Sequence, residues 1–171
     1  MELIIAKASI DEAEEIIAFL NKVGGETDFL TFGLNEFPYS LFMERQIISE
    51  CLEDDTSLVL VGKVNNQIVS QLFLEVSSQK RLSHLGSFGI SVSKDYWRQS
   101  IATRMLTEAI AWAKGKNMAK LQLQVRTDNT HAVQLYKKLG FVVEGTITRS
   151  LKIKEVYFDE YLMGLELPVL V

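Results

Sequence analysis

The sequence predicts a mixed α/β fold, with a mixed central sheet of six to seven strands flanked by about four helices. Three observations carry this. Short alternating β-rich runs recur along the whole chain. Stretches with helical spacing separate them. In the second half, strand, helix and strand follow one another, which requires some parallel pairing and a sheet covered on both faces.

Residues 2–8 alternate as a first strand. Ser9 then caps a helix, with Asp11 and Glu12 in its first turn and Ile16, Ile17, Phe19 and Leu20 as its apolar stripe. Gly24 and Gly25 end it. Residues 26–37 read as a loop with outward aromatics at Phe29, Phe32 and Phe37, and a second helix runs from about Tyr39 to Glu53. Ser57–Val64 and Gln67–Ser77 form a hairpin around Asn65 and Asn66, a two-residue turn of the favoured kind. Leu82–Ser93 is a third long strand. Ile101–Lys116 is a helix with Leu106, Ile110 and Ala113 on one face, and Leu121–Val125 is an alternating strand. Ala132–Leu139 is a short helix stopped by Gly140. Phe141–Thr148 and Glu155–Leu167 are closing strands.

At 171 residues, with two prolines and no Gly/Ser-rich linker, residues 1–171 are expected to be one domain with a sizeable core. The net charge is −4 and no Lys/Arg run stands out, so bulk attraction to nucleic acid or to an anionic membrane is not expected. No apolar run reaches the length of a membrane span and the start shows no secretory signal, which points to a cytoplasmic protein. Cys51 is the only cysteine, which excludes an intrachain disulfide, and it reads as a small buried hydrophobe. With two histidines and no carboxylate cluster at ligand spacing, no metal is expected.

Two segments carry the chemistry. The first, Tyr96-Trp97-Arg98-Gln99-Ser100-Ile101-Ala102-Thr103, follows an apolar strand and opens a helix. A helix start offers unpaired amides and a partial positive charge, which suit phosphate oxygens. Ser100 and Ala102 are small enough for close approach, Arg98 adds a cation and Thr103 a hydroxyl donor. On these residues alone an ordinary helix start fits equally well. Neither a Rossmann nor a P-loop glycine pattern is present. In the second segment, Asn129, Ala132 and Tyr136 are spaced by three and four on one helical face, with Leu135 and Leu139 on another. A packed tyrosine beside a mere capping asparagine is the plain alternative.

In this order the two segments resemble the acyl-CoA site of the GNAT family of N-acetyltransferases. The family's loop is Arg/Gln-x-x-Gly-x-Gly/Ala; here Trp97 stands for Arg/Gln, Ser100 for the first glycine, and Ala102 is an allowed last residue. The family's second pattern, Asn-x-x-Ala-x-x-x-Tyr-x-x-x-Gly-Phe, is matched at Asn129, Ala132, Tyr136, Gly140 and Phe141. The resemblance covers nearly the whole chain and is strongest from Gly89 to Met163.

The resemblance implies acetyl-CoA as acyl donor, held by Ile90, Ser91, Val92, Trp97, Arg98, Gln99, Ser100, Ile101, Ala102, Thr103, Asn129, Ala132, Tyr136 and Lys138. It implies direct attack by a neutral amine on the thioester, an oxyanion met by a backbone N–H near Ile90–Val92, and Tyr136 as proton donor to the departing thiolate. Neutralising an alkylammonium of pKa ~10.4 at pH 7 costs about 4–5 kcal/mol, so a base matters most for alkyl amines. Ser87 stands where relatives often carry a glutamate, which leaves Glu75, His84 or a water chain as candidates; His131 reads as surface. The implied acceptor is a small amine, an amino acid or a peptide N-terminus, and Glu26, Asp28 and Glu36 are loop charges suited to attracting a cation. Family members often dimerise, and Val169-Leu170-Val171 is an apolar tail fit for that, so a homodimer is expected. Two other readings stay open: a non-catalytic acyl-CoA-binding module, and a nucleotide-binding α/β protein.

Overall fold

A computed structural model describes residues 2–169 of the chain. The expected tail residues Leu170 and Val171 lie outside the described residues. Seven strands and four α-helices appear in the order β1 (Ile4–Lys7), α1 (Ala13–Gly24), α2 (Leu41–Asp54), β2 (Leu58–Val64), β3 (Gln67–Val76), β4 (Leu85–Val92), α3 (Ile101–Gly115), β5 (Lys120–Arg126), α4 (Thr130–Lys138), β6 (Val142–Ile153) and β7 (Val156–Glu166). The chain divides into two compact units. One holds the residues up to Glu75 together with Phe88–Ala111, the other Val76–Ser87 and the chain from Trp112 onward. Hydrogen-bonded neighbours run β1-β2-β3-β4 in the first and β4-β5-β7-β6 in the second. β4 and β5 pair parallel, whereas β1/β2, β2/β3, β5/β7 and β6/β7 pair antiparallel, so the sheet is mixed, as the strand–helix–strand order requires.

In the first unit, Ala13, Ile16, Phe19, Leu20 and Val23 of α1 form a core with Ile48 and Cys51 of α2 and Val59 and Val61 of β2. A single 3₁₀ turn, Ile10–Glu12, leads into α1, and the Glu12 carboxylate reaches back to accept the Ser9 N–H at 2.7 Å. The β2–β3 hairpin turns through Asn65 and Asn66 at φ 50° and 63°, the left-handed pair that a two-residue hairpin loop needs and that asparagine tolerates. Register slips between Gly62 and Lys63, where a Cβ on Gly62 would meet the Ser70 hydroxyl at 2.2 Å, so only glycine lets the two strands approach there. Cys51 is buried, as expected, and burial pushes its thiol up to about 11, which keeps it a protonated hydrophobe.

Three sequence expectations change. Phe32 and Phe37 do not point outward: both pack against the α1/α2 core, and their rings meet edge to face at 5.3 Å, with Tyr39 following at 5.1 Å from Phe37. The third long strand begins at Leu85 rather than Leu82, because residues 80–84 form turns tied by the Leu82 and Leu85 N–H bonds. β6 runs on to Ile153 and turns through Lys154 and Glu155 at φ 47° and 65°, a second two-residue loop that no glycine or asparagine announces. Residues 148–150 bulge out of its pairing with β7, with Arg149 at φ 52°.

Candidate functional site

In the first unit, β4 delivers Ile90, Ser91 and Val92, all half-buried, to the end of the sheet. The Ser93 N–H then bonds the Val69 carbonyl at 2.9 Å, holding the chain to β3 as it leaves the strand. A 3₁₀ turn, Lys94–Tyr96, follows. It is fixed from below by Glu26, whose carboxylate accepts the Lys94 N–H at 2.7 Å and the Ser93 hydroxyl at 3.4 Å. Glu26 is therefore committed to this loop rather than left as a solvated loop charge.

The Trp97 indole N–H donates to the Val92 carbonyl at 2.8 Å, and the Gln99 amide donates to the Asp95 carbonyl at 3.1 Å. Trp97 thus uses its one donor to staple the loop to the end of β4, where the family pattern's arginine would offer a cation. Arg98 and Ser100 both take φ 60°. Left-handed residues alternating with others turn successive backbone N–H groups toward one side, the arrangement that cradles anions. α3 begins at once, with the Arg104 N–H bonded to the Ser100 carbonyl at 3.1 Å, so the amides just after Ser100 have no acceptor within the helix. Ile101 itself is buried with Met105, Leu106 and Ala109, so its side chain anchors the helix.

Ser100 therefore occupies a glycine-type conformation at a cost of about 1 kcal/mol. We expect Ser100→Gly to keep or modestly tighten acetyl-CoA binding. Ser100→Val, whose branched side chain resists the left-handed region, should weaken it about tenfold, or ~1.4 kcal/mol. Calorimetric titration with acetyl-CoA checks this, and equal affinities for the two variants would refute it.

In the second unit, α4 is positioned at both ends. At its start the Asn129 side chain accepts the Ala132 N–H at 3.4 Å. The turn into it is braced by Arg126, which is buried, stacks its guanidinium 3.6 Å above the Phe158 ring, and grips Asp128 through Nε at 3.0 Å and Nη2 at 2.6 Å. That hydrogen bonding holds the Asp128 carboxyl below its ordinary value. Arg126 and Asp128 escape sequence reading, because nothing local marks an arginine ending a strand as buried.

At its other end, Gly140 takes φ 95°, its N–H bonds the Lys137 carbonyl, and the Phe141 N–H bonds the Tyr136 carbonyl, both at 3.0 Å. This is the Schellman stop, and its usual hydrophobic contact is made by the Phe141 and Tyr136 rings, 5.9 Å apart and edge to face. The Tyr-x-x-x-Gly-Phe spacing is thus a capping motif that fixes a tyrosine. Tyr136 is buried. Burial pushes its phenol well above the ordinary value, so it stays protonated at every physiological pH. Asn129 and Ala132 are half-buried on the same helix, and Lys138 is exposed in its last turn.

The remaining candidates lie as follows. Glu75 is exposed near the end of β3. The Ser87 hydroxyl accepts from the Gln122 amide at 3.0 Å on the neighbouring strand. His84 is exposed in the turn before β4, where its carbonyl accepts the Ala119 and Lys120 N–H groups, and His131 is exposed in the first turn of α4. Among the described residues no group of three or more histidine, cysteine or acidic side chains is placed to hold a metal ion, and no helix is long and apolar enough to cross a membrane.

A mixed sheet with β4 and β5 parallel, a left-handed turn into α3 and a capped tyrosine helix after β5 match the expected class, and comparison agrees. The profile described as "Acetyltransferase (GNAT) family" matches residues 27–141, and the chain belongs to that family. A solved acetyltransferase of the GNAT family from Streptococcus pneumoniae is 33% identical, with a TM-score of 0.93 over 98% of this chain and 100% of that one. An L-amino acid N-acetyltransferase of Escherichia coli K12 is 30% identical over 106 residues, 61% of this chain and 65% of that protein, so the chain spans just under two thirds of that relative. An N-alpha-acetyltransferase of Sulfurisphaera tokodaii is 28% identical over 141 residues, 75% of this chain and 77% of the other.

Proposed function

We propose that this chain is an acetyl-CoA-dependent N-acetyltransferase acting on a primary amine, with residues 1–171 working as one catalytic domain. The observation that carries the reading is the pair of left-handed residues, Arg98 and Ser100, opening α3 with its first amides unpaired. Such a turn suits the pyrophosphate of CoA. In this reading the backbone from Trp97 to Thr103 takes that pyrophosphate, with Arg98 as an added cation. Ile90, Ser91 and Val92 supply the edge along which the pantetheine arm runs and the N–H that meets the oxyanion. Asn129, Ala132 and Lys138 line the donor from α4.

The amine attacks the thioester carbonyl, the tetrahedral intermediate collapses, and Tyr136 gives its proton to the leaving thiolate. Burial keeps the phenol protonated at any working pH, which supplies the proton but makes it a weaker acid toward the thiolate. Glu75 is the proposed base, through water, since its carboxylate is exposed at a strand end. The names of two relatives, an L-amino acid N-acetyltransferase and an N-alpha-acetyltransferase, support an amine acceptor here. A cytoplasmic location, no nucleic-acid or membrane partner, and a homodimer complete the reading; the mild acidity of the chain supports the second of these.

Thiol release from acetyl-CoA against amino acids, short peptides, polyamines and aminoglycosides tests it. Turnover with one class is expected. Tight CoA binding with no turnover on any would favour the acyl-CoA-binding module, and no CoA binding would overturn both.

A further inference from the structure

In the first unit, the turn from β4 into α3 is exposed at every residue from Trp97 to Ser100, so burial does not fix its backbone. Arg98 and Ser100 are nevertheless left-handed, both at φ 60°. At Asn35, Asp55, Asn65, Asn66 and Asn117 the same region falls on residue types whose short polar side chains tolerate it. Arginine and serine have less of that ease. Such residues persist where the surrounding structure over-determines them.

Here the restraint comes from the residue before each of them. Trp97, before Arg98, gives its indole N–H to the Val92 carbonyl at 2.8 Å, back at the end of β4. Gln99, before Ser100, gives its side-chain amide to the Asp95 carbonyl at 3.1 Å. Glu26 holds the foot of the turn through the Lys94 N–H at 2.7 Å, and the Ser93 N–H is tied to the Val69 carbonyl on β3. Side-chain donors and left-handed residues therefore alternate, and each donor draws the segment back onto main chain that precedes it. The two departures from the family's loop then belong together. Ser100 stands where that loop has a glycine, and Trp97 where it has arginine or glutamine. Glycine reaches the left-handed region unaided. Serine enters it at a cost, and the net worth of a hydrogen bond is of similar size.

We propose that Trp97 and Gln99 are positioning residues for acetyl-CoA: their side-chain bonds hold Arg98 and Ser100 left-handed before the donor arrives, the task a glycine performs in the family's loop. They act through the backbone of the turn, not through contact with the donor, a role that rests for donor binding on the pyrophosphate reading above. A turn that is competent only part of the time lowers apparent affinity by that fraction. In the wild type the turn is already formed, so relieving Ser100 gains little; with a side-chain bond removed, the same change gains much.

The test is a double-variant cycle on the full chain, read by calorimetric titration with acetyl-CoA. Trp97→Phe keeps an aromatic ring without a donor, and Gln99→Met a chain of about the same length without one. Trp97→Phe is expected to weaken binding about tenfold and Gln99→Met about fivefold. Adding Ser100→Gly to either should recover about threefold, against less than about 1.5-fold for Ser100→Gly alone. Additive effects overturn the proposal, and are the result expected if the Trp97 ring or the Gln99 amide touches the donor directly. In turnover the loss should fall on the KM for acetyl-CoA, with kcat within about threefold.

Hydrogen exchange of the ligand-free chain is the second arm. The Tyr96 N–H, bonded to the Ser93 carbonyl at 2.9 Å, and the Arg104 N–H, bonded to the Ser100 carbonyl at 3.1 Å, bracket the turn. Their exchange should speed about fivefold in Trp97→Phe and slow again when Ser100→Gly is added. Unchanged exchange overturns the proposal even where affinity falls. A wild type that binds no acetyl-CoA refutes the pyrophosphate reading, and exchange then still decides whether Trp97 and Gln99 hold the turn.

Discussion

Replacing Tyr136 with phenylalanine is expected to lower turnover by roughly 10²–10³ while acetyl-CoA affinity stays within about twofold. The asymmetry follows from the structure. The ring is held by the Schellman stop and by its edge-to-face contact with Phe141, neither of which uses the hydroxyl. Phenylalanine therefore keeps the helix and the ring and removes the hydroxyl. The pH dependence adds a second signature. Burial raises the phenol far above neutrality, so it is protonated on both sides of pH 7 and the loss should be equally deep from pH 6.5 to 9, with no limb assignable to it. Steady-state kinetics with the acceptor found in the amine panel measures both. An unchanged rate would remove Tyr136 as the acid and leave the thiolate to depart unassisted.

The largest loss of stability is expected at Phe141. The side chain is 2% exposed and among the largest fully buried ones in the chain. Truncation to alanine leaves a cavity and removes the contact that closes the α4 stop, at about 3–5 kcal/mol. For a chain of this size that is a fall in melting temperature of about 10 °C or more. Phe141→Leu, nearer in volume, should recover most of it, and a variant within about 1 kcal/mol of wild type for alanine would show that the site collapses without penalty. The folded fraction of Phe141→Ala should also lose turnover, because the tyrosine ring loses the neighbour that orients it. Denaturant melts and kinetics on the same preparations separate the two effects.

The elements that local rules govern were legible in the sequence. The α1 stripe, the Asn65-Asn66 hairpin, the α3 start at Ile101 and the stop at Gly140 all follow from spacing and turn chemistry, and all are present. The Asn129–Phe141 pattern is readable because both of its ends are capping signals. What was not legible depends on partners distant in sequence. Phe32 and Phe37 looked exposed because their cover comes from the α1/α2 core. Arg126 is buried because Phe158 lies beneath it and Asp128 beside it. Glu26 looked like a free loop charge until the loop after β4 arrived to use it. Glu44 is the sharpest case. Its place in the stripe with Leu41, Ile48 and Cys51 was there to be counted, but a glutamate reads as a solvated side chain by default, and its burial is a property of the packed state alone.

The stop at the end of α4 also bears on inheritance. Tyr136 takes its orientation from a cap, a left-handed glycine and a neighbouring ring that all lie in one contiguous run from Asn129 to Phe141. No side chain between Glu26 and Asp55 contributes to that cap, stop or ring contact. Descendants of this chain can therefore rewrite the acidic stretch while the placement of the Tyr136 ring passes on unaltered. Change in one part of the sequence need not await compensating change in the other, and the two can evolve at different rates.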